Sequence, residues 1–342
     1  MSRRVVITGV GIIAPNGTGK KNFFEAVIEG KSSVRAIHEF DTSTFKTRII
    51  SAVDDFDGSL YGLTTEQTGR LDRYAQFAVA GANMAVQDAE LNLGQVDQER
   101  IGVSIGNAIC GTKLMETEFV AVTESGKNRI DPSLATACLY QASMFNSPSN
   151  EISAIFNTKG ICITIPTGCT SGLDSLGFAR QCIMNGDVDV MITGAAEAPF
   201  TPITLAAFDV INCLSTRNDE PWRASRTFDK NRDGFVLAEA SGILVLEELE
   251  HALHRKAPIY GEIIGYATGS NAFHMTDLAP DGLELSRVIT MALNQARVSP
   301  DEINYVSAHG SSTKQNDWNE TAALKRSLGD YAYKVPISSL KS

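Results

Sequence analysis

The sequence predicts an α/β protein built from two related strand-and-helix halves, the second of them incomplete. Three observations carry this expectation. Short Val/Ile-rich runs ending in glycine alternate with longer helical stretches, the pattern of sheets covered on both faces. The order of these runs repeats along the chain, and the 342 residues stop at Ser342, directly after the third strand of the second copy.

The expected strands are Arg4 to Thr8, Ile101 to Ile105, Ile161 to Ile165, Val188 to Thr193 and Ile243 to Glu247, then Tyr260 to Ala267, Tyr305 to Ala308 and Val335 to Ser338. "RRVVITGVGIIAPNG" shares its plan with "PIYGEIIGYATGSN", "RIGVSIGNAICG" with "INYVSAHGSST", and "GICITIPTGCTSG" with "KVPISSLKS". Reading the repeat this way sets a boundary near Ala257 and Pro258, with an N-terminal half over 1–257 and a C-terminal half over 258–342. In the first copy a helix and two more strands follow the third strand. The second copy has no such continuation, which leaves a sheet with an open edge and an uncovered face unless other material completes it.

Composition bounds the function. With 43% hydrophobic and 20% charged residues the chain can bury a substantial core. No apolar run reaches the roughly 18 residues of a membrane span, and "MSRRVVITG" enters a strand pattern without a secretion signal, so a cytoplasmic protein is expected. A formal charge of −10 argues against nucleic acid or an anionic membrane as the main partner. Cysteines 110, 138, 162, 169, 182 and 213 form no CxxC pair and have no histidine at ligand spacing, so neither a metal site nor a disulfide framework is expected.

Two glycine motifs are decoys. Gly9, Gly11 and Ala14 after a strand fit the loose dinucleotide fingerprint, but Ile12, Ile13, Pro15 and Asn16 stand where a phosphate-facing helix should begin. In "NGTGKKN", Ala14 sits where a phosphate loop needs its first glycine and Asn22 where it needs a hydroxyl.

"IPTGCTSGLDSLGFA", residues 165 to 179, is different. An apolar strand runs into Gly168, then Cys169, then a helix of small residues. At such a junction the first unpaired N–H groups and the positive end of the helix dipole favour a thiolate. Gly168 and Gly172 permit the sharp turn and close helix packing of a nucleophile elbow, with sulfur in place of oxygen, and the Cys169 N–H is a natural oxyanion donor. Most free cysteines are small buried hydrophobes. That description is accepted for the other five, but Thr167, Thr170 and Ser171 around Cys169 suit an elbow better than a core. The second candidate is His309, which ends an expected strand and precedes the hydroxyl-rich Gly310, Ser311, Ser312 and Thr313. A neutral imidazole there would donate a hydrogen bond to a developing enolate or thioester oxygen.

Taken together, "PTGCTSGLDSLG", "RTFDKNRDGFVLAEASG", "NAFHMTDLAPDG", "AHGSSTKQNDWNETAALKRSLGD" and "VPISSLKS" resemble a β-ketoacyl synthase of the thiolase fold. More narrowly, they resemble the ketosynthase α subunit of bacterial type II aromatic polyketide synthases, from Arg3 to Ser342 without a large gap. The resemblance implies a thiolase-like fold of two pseudo-repeated halves layered α/β/α/β/α. It implies that Cys169 receives an acyl chain as a thioester and that His309, the first of two family histidines, assists decarboxylation of a malonyl unit. Lys341 matches the family lysine held near the site by an acid, for which Glu320 is the candidate. Ser311 and Thr313, with His274 and Thr276, match positions along the phosphopantetheine channel. No cofactor is bound by the chain itself, since an acyl carrier protein supplies that arm. Arg217 and Arg70 match carrier-docking positions, in a setting where Arg223 and Arg226 lie close by and Arg73 shares an expected helix with Arg70.

The resemblance also implies a heterodimer with a chain-length factor, a homologue lacking the cysteine, packed along the edge near Ile161 to Ile165. A homodimer is the alternative. Two departures stand out. Ser311 and Ser312 replace the usual Gly or Thr, and the family continues past the lysine motif with a Gly-His pair and a glycine-rich loop that supply the second histidine and another oxyanion donor. The chain is therefore expected to be a truncated piece, which leaves its own activity open. Two alternatives to polyketide condensation stand beside it: a fatty acid elongation synthase, and a non-catalytic subunit that only binds a carrier.

Overall fold

Residues 3–341 are described by a computed structural model, and they divide into two compact units. One comprises residues 1–31, 52–204 and 238–263, and the other residues 32–51, 205–237 and 264–342. Residues 258–263 go with the first unit, and the second draws in two segments from the middle of the chain.

In chain order the strands are β1 (Val5–Ile13), β2 (Arg35–Ala36), β3 (Ile49–Ile50), β4 (Ile101–Gly106), β5 (Cys162–Ile165), β6 (Val190–Glu197), β7 (Ala240–Glu248), β8 (Gly261–Glu262), β9 (Val306–Ser307) and β10 (Ile337–Ser338). The helices are α1 (Lys20–Ile28), α2 (Thr65–Arg70), α3 (Arg73–Asp88), α4 (Thr112–Val122), α5 (Leu139–Ser143), α6 (Ser147–Phe156), α7 (Ser171–Asn185), α8 (Pro202–Val210), α9 (Leu249–His254), α10 (Leu283–Ala296) and α11 (Lys314–Leu328).

The first unit is built on one six-stranded mixed sheet in the order β5-β4-β6-β7-β1-β8. β5, β4 and β6 run parallel, and β7, β1 and β8 extend them antiparallel. Alternation sorts the side chains. Val190, Ile192, Ile243 and Val245 face the cluster containing Tyr74, Phe77 and the alanines of α3, while Met191 and Leu246 face Ala179, Cys182 and Ile183 of α7. Burying each large aliphatic contributes about 1.5–3 kcal/mol. β5 pairs only with β4 and ends the sheet, and its Cys162 is exposed. This corrects the expectation of a buried thiol there. Cys110 and Cys182 are buried, and Cys138 and Cys213 partly so.

The decoy glycines have a packing role. A Cβ on Gly9 would lie 2.1 Å from the Ala85 carbonyl oxygen, and one on Gly11 would lie 1.9 Å from that of Gly81. The strand thus carries hydrogens there so that the backbone of α3 can lie directly on it. Strand β1 also runs on to Ile13 where a phosphate-binding helix would have begun.

Arg70 and Arg73 do not share a helix. Asp72 breaks the run and caps α3 by accepting the Tyr74 N–H at 3.3 Å, so Arg70 ends α2 and Arg73 begins α3. Arg73 then points inward, bonded through two nitrogens to buried Glu239 at 2.8 and 2.9 Å and stacked 4.7 Å from the Phe77 ring.

In the second unit, β9 and β10 form a two-residue parallel pair, β2 and β3 an antiparallel one, and α10 packs on α11. The expected strands Tyr260 to Ala267, Tyr305 to Ala308 and Val335 to Ser338 shrink to two residues each. β8 shows why, because a ladder lasts only as long as its partner. Beyond the irregularity between Ile7 and Gly9, the outer edge of β1 is taken by Asp88, which accepts the Val10 N–H at 3.0 Å. Among the described residues, no helix is long and apolar enough to cross a membrane and no group of His, Cys, Asp or Glu could hold a metal ion.

Candidate active site

In the first unit, the parallel strands β4 and β5 end together at the paired Gly106 and Ile165, and β6, level with them at Ala195, runs on to Glu197. Four residues past the end of β5, Cys169 lies in a one-turn 3-10 segment, Gly168–Thr170, that leads into α7. Gly168 has φ +69°, a left-handed conformation that costs a side-chain-bearing residue about 1 kcal/mol or more. The thiol is exposed. The turn is braced from both sides by Asp174, in the first turn of α7, whose Oδ2 accepts from the Thr167 hydroxyl at 2.6 Å and the Thr170 hydroxyl at 2.7 Å. Sequence reasoning noticed the two threonines and missed Asp174; the only signal was an acid four residues after Thr170. Gly172 sits 3.3 Å, measured from an added Cβ, from the Ala195 side chain, which lets α7 start tight against β6.

His309, Lys341, Glu320, Ser311 and Thr313 come together within the second unit. The Lys341 ammonium donates to the His309 carbonyl at 2.9 Å and to its ring Nδ1 at 3.3 Å. An ammonium has no lone pair to offer, so Nδ1 accepts and the neutral ring carries its hydrogen on Nε2. Burial first, and the Lys341 charge second, hold the His309 pKa below its ordinary 6.5, which keeps the ring neutral at physiological pH.

Glu320 braces the loop. Its two oxygens accept the backbone N–H groups of His309 at 2.7 Å and Gly310 at 2.8 Å. The sequence names this carboxylate as the acid beside Lys341, and its two backbone bonds add a loop-bracing part that residue types do not show. Thr313 caps α11 by accepting the Asn316 N–H at 3.2 Å and lies 3.0 Å from the Ser311 hydroxyl, and Ser311 is itself buried. His274 and Thr276 lie on an exposed loop whose shape His274 fixes by accepting the Asp277 N–H at 3.0 Å.

The two docking arginines differ. Arg70 is held in a fork by Glu151 of its own unit, at 2.5 and 2.6 Å. Arg217, in the second unit, is held loosely, with one nitrogen 3.3 Å from the Asn231 carbonyl and another 3.8 Å from Glu220.

The first unit carries an exposed cysteine on a braced strand-to-helix elbow, the arrangement of an acyl-transferring enzyme of the nucleophile-elbow type, and the second unit carries a lysine-oriented neutral histidine. The family model described as "Beta-ketoacyl synthase, N-terminal domain" matches residues 2–252, and "Beta-ketoacyl synthase, C-terminal domain" matches residues 260–342. The chain belongs to the β-ketoacyl synthase family and has its thiolase-like fold. It is 46% identical over 341 residues to the tetracenomycin polyketide synthase ketoacyl synthase α subunit of Streptomyces glaucescens, covering 99% of this chain and 80% of that one. A solved type II polyketide synthase acyl carrier protein in complex with its ketosynthase, bound to the hexaketide, matches with TM-score 0.91 and 42% identity, over 100% of this chain and 81% of that one. The ishigamide ketosynthase/chain length factor matches with TM-score 0.89 and 31% identity, over 100% and 81%.

Proposed function

We propose that this chain is the cysteine-bearing ketosynthase of a type II polyketide synthase. The Cys169 thiolate attacks the carbonyl of an acyl group carried on the phosphopantetheine of an acyl carrier protein; the C–S bond to pantetheine breaks and its thiol leaves. A malonyl carrier protein then loses carbon dioxide, the electron pair passing to an enolate whose oxygen is stabilised by the His309 Nε2–H. The enolate carbon attacks the Cys169 thioester, a carbon–carbon bond forms, and the cysteine sulfur leaves. The single observation that carries this reading is the exposed thiol on a left-handed glycine elbow braced by Asp174.

The test is incubation with an acyl carrier thioester, or with a cysteine-directed inhibitor, followed by mass spectrometry. A mass increase mapped to Cys169 is expected. Binding of the carrier with no covalent mark would instead favour a non-catalytic carrier-binding subunit.

The depressed His309 pKa supports a pH prediction. Protonation would put a hydrogen on Nδ1, where the Lys341 ammonium now donates, and break the bond that orients the ring, so the condensation rate should hold as pH falls through 6.5 and decline only below it. An acidic limb centred at or above 6.5 in the pH profile of kcat/KM contradicts this.

The partner we propose for the β5 edge is a chain-length factor. An unpaired edge beside the nucleophile strand supports it, as does the resemblance to a solved ketosynthase paired with such a factor. Ser311, Thr313, His274 and Thr276 are proposed to face the pantetheine arm, and Arg217 to meet the acidic carrier. Arg217→Glu is expected to raise KM for carrier-bound substrate about tenfold and leave small thioester mimics nearly unchanged. Equal effects on both substrates would remove Arg217 from the docking surface. Arg70→Glu is a poorer probe, because it would set two acids against each other where the Glu151 fork now stands.

A further inference from the structure

The turn that follows β4 leads away from the first residues of α7, and one carboxyl group fixes it. A Cβ on Gly106 would fall 2.4 Å from the Ser171 carbonyl oxygen, two residues after Cys169, so the end of β4 rests on the start of α7. The chain then turns through Asn107, Ala108, Ile109 and Cys110 before α4 begins. Ala108 is exposed and Ile109 half-buried, and Cys110 takes a left-handed φ of +61°, an uncommon conformation for a residue with a side chain. What fixes this turn is Glu197, the last residue of β6. Its Oε2 accepts the N–H groups of Ala108 at 2.6 Å and Ile109 at 3.0 Å. Its Oε1 is buried with no hydrogen-bond partner among the described residues. A buried carboxyl oxygen left unpaired is costly, and such groups concentrate where position matters for function.

We propose that Glu197 is a positioning residue that holds the Ala108–Cys110 turn as a wall beside Cys169, and so sets which acyl chains load onto that sulfur. The proposal rests on Cys169 being acylated. The Glu197 side chain touches no reacting atom; it acts through the turn, and Ile109 is the side chain the turn presents.

Burial pushes the Glu197 carboxyl up to about 7 against the two backbone N–H bonds, with Asp72 at the head of α3 adding to the rise. Tyr74 on α3 and Cys110 in the turn are the other titratable groups whose own values respond to it, and both are pushed up, chiefly by burial. A carboxylate accepts N–H bonds about twice as strongly as a neutral carboxyl. The wall is therefore firm above pH 7 and loosens as Glu197 takes up a proton below it.

The experiment measures loading of Cys169 from a short and a long acyl N-acetylcysteamine thioester by intact-protein mass spectrometry, with iodoacetamide alkylation of the same thiol as a measure of its reactivity. In the wild type the short-to-long ratio is expected to change between pH 6 and 8. In Glu197→Ala at pH 8 the ratio should shift about tenfold, the scale on which a pocket wall discriminates chains, while alkylation is unchanged. Glu197→Gln keeps the shape and an acceptor but cannot ionise, so it should fold normally and give a ratio that is flat with pH. An unchanged ratio in both variants, or alkylation and loading falling in equal proportion, overturns the proposal alone. No label on the wild-type thiol overturns the acylation reading and this one with it.

Discussion

Cys169→Ala should reduce acyl loading and condensation to background, a loss of roughly 10⁴-fold or more, as expected when a covalent nucleophile is removed. The variant should nevertheless fold as the wild type does. The thiol is exposed, and the elbow's shape is set by the Gly168 backbone and by the Asp174 bonds to Thr167 and Thr170, none of which the substitution touches. Mass spectrometry after incubation with an acyl carrier thioester checks the first half, and a thermal melt within about 1 °C of wild type checks the second. Retained condensation would disprove the assignment, and a large drop in melting temperature would mean that the residue holds the fold.

Arg255→Ala should destabilise the first unit by about 3–5 kcal/mol, the scale of breaking a buried ion pair by removing one partner. Glu247 on β7 is completely buried and accepts from two of the three Arg255 guanidinium nitrogens and from Thr8, with His251 Nδ1 at 2.7 Å. Without the guanidinium, its charge would be stranded beside a histidine and a hydroxyl. A melting temperature lowered by on the order of 10 °C is expected, and a loss of under 1 °C would show the pair to be dispensable. The same network sets an acid limit. Burial opposes ionisation of Glu247, but the bonds from Arg255, His251 and Thr8 outweigh it and hold the carboxyl at about 2, below its ordinary 4.5. A carboxyl depressed in the folded state contributes stability that is fully present above 4.5 and is lost as pH falls toward 2. Chemical denaturation at stepped pH should trace that window in the wild type. In Arg255→Ala the acid dependence should be weaker.

Much of the first unit was legible in the sequence, because a strand buried on both faces writes itself as Val and Ile in succession. The β4, β6 and β7 ladders stand where their aliphatic runs stand. The strands of the second unit were over-extended because a strand exists only beside another, and side-chain types do not say how far the neighbour reaches. The elbow was legible because Gly168, Cys169 and Gly172 are an odd choice for filling a core. Glu197 and Asp174 were not, since each acts by accepting from a backbone N–H or a nearby hydroxyl, and any acid at that position reads as a solvated charge. Cys162 was misjudged for a related reason: its apolar strand reads as interior, but it forms the end of the sheet. Arg70 and Arg73 read as surface charge on one helix, whereas the Asp72 cap separates them and Glu151 and Glu239 engage them.

The Asp174 carboxylate grips a threonine on each side of the nucleophile before any substrate arrives. The entropy of arranging that sulfur is thus surrendered once, when the polypeptide folds, and not again at every turnover. An enzyme that must repeat one bond-forming step on a lengthening chain gains from this at each cycle, because its reactive atom is in place however long the passenger has grown.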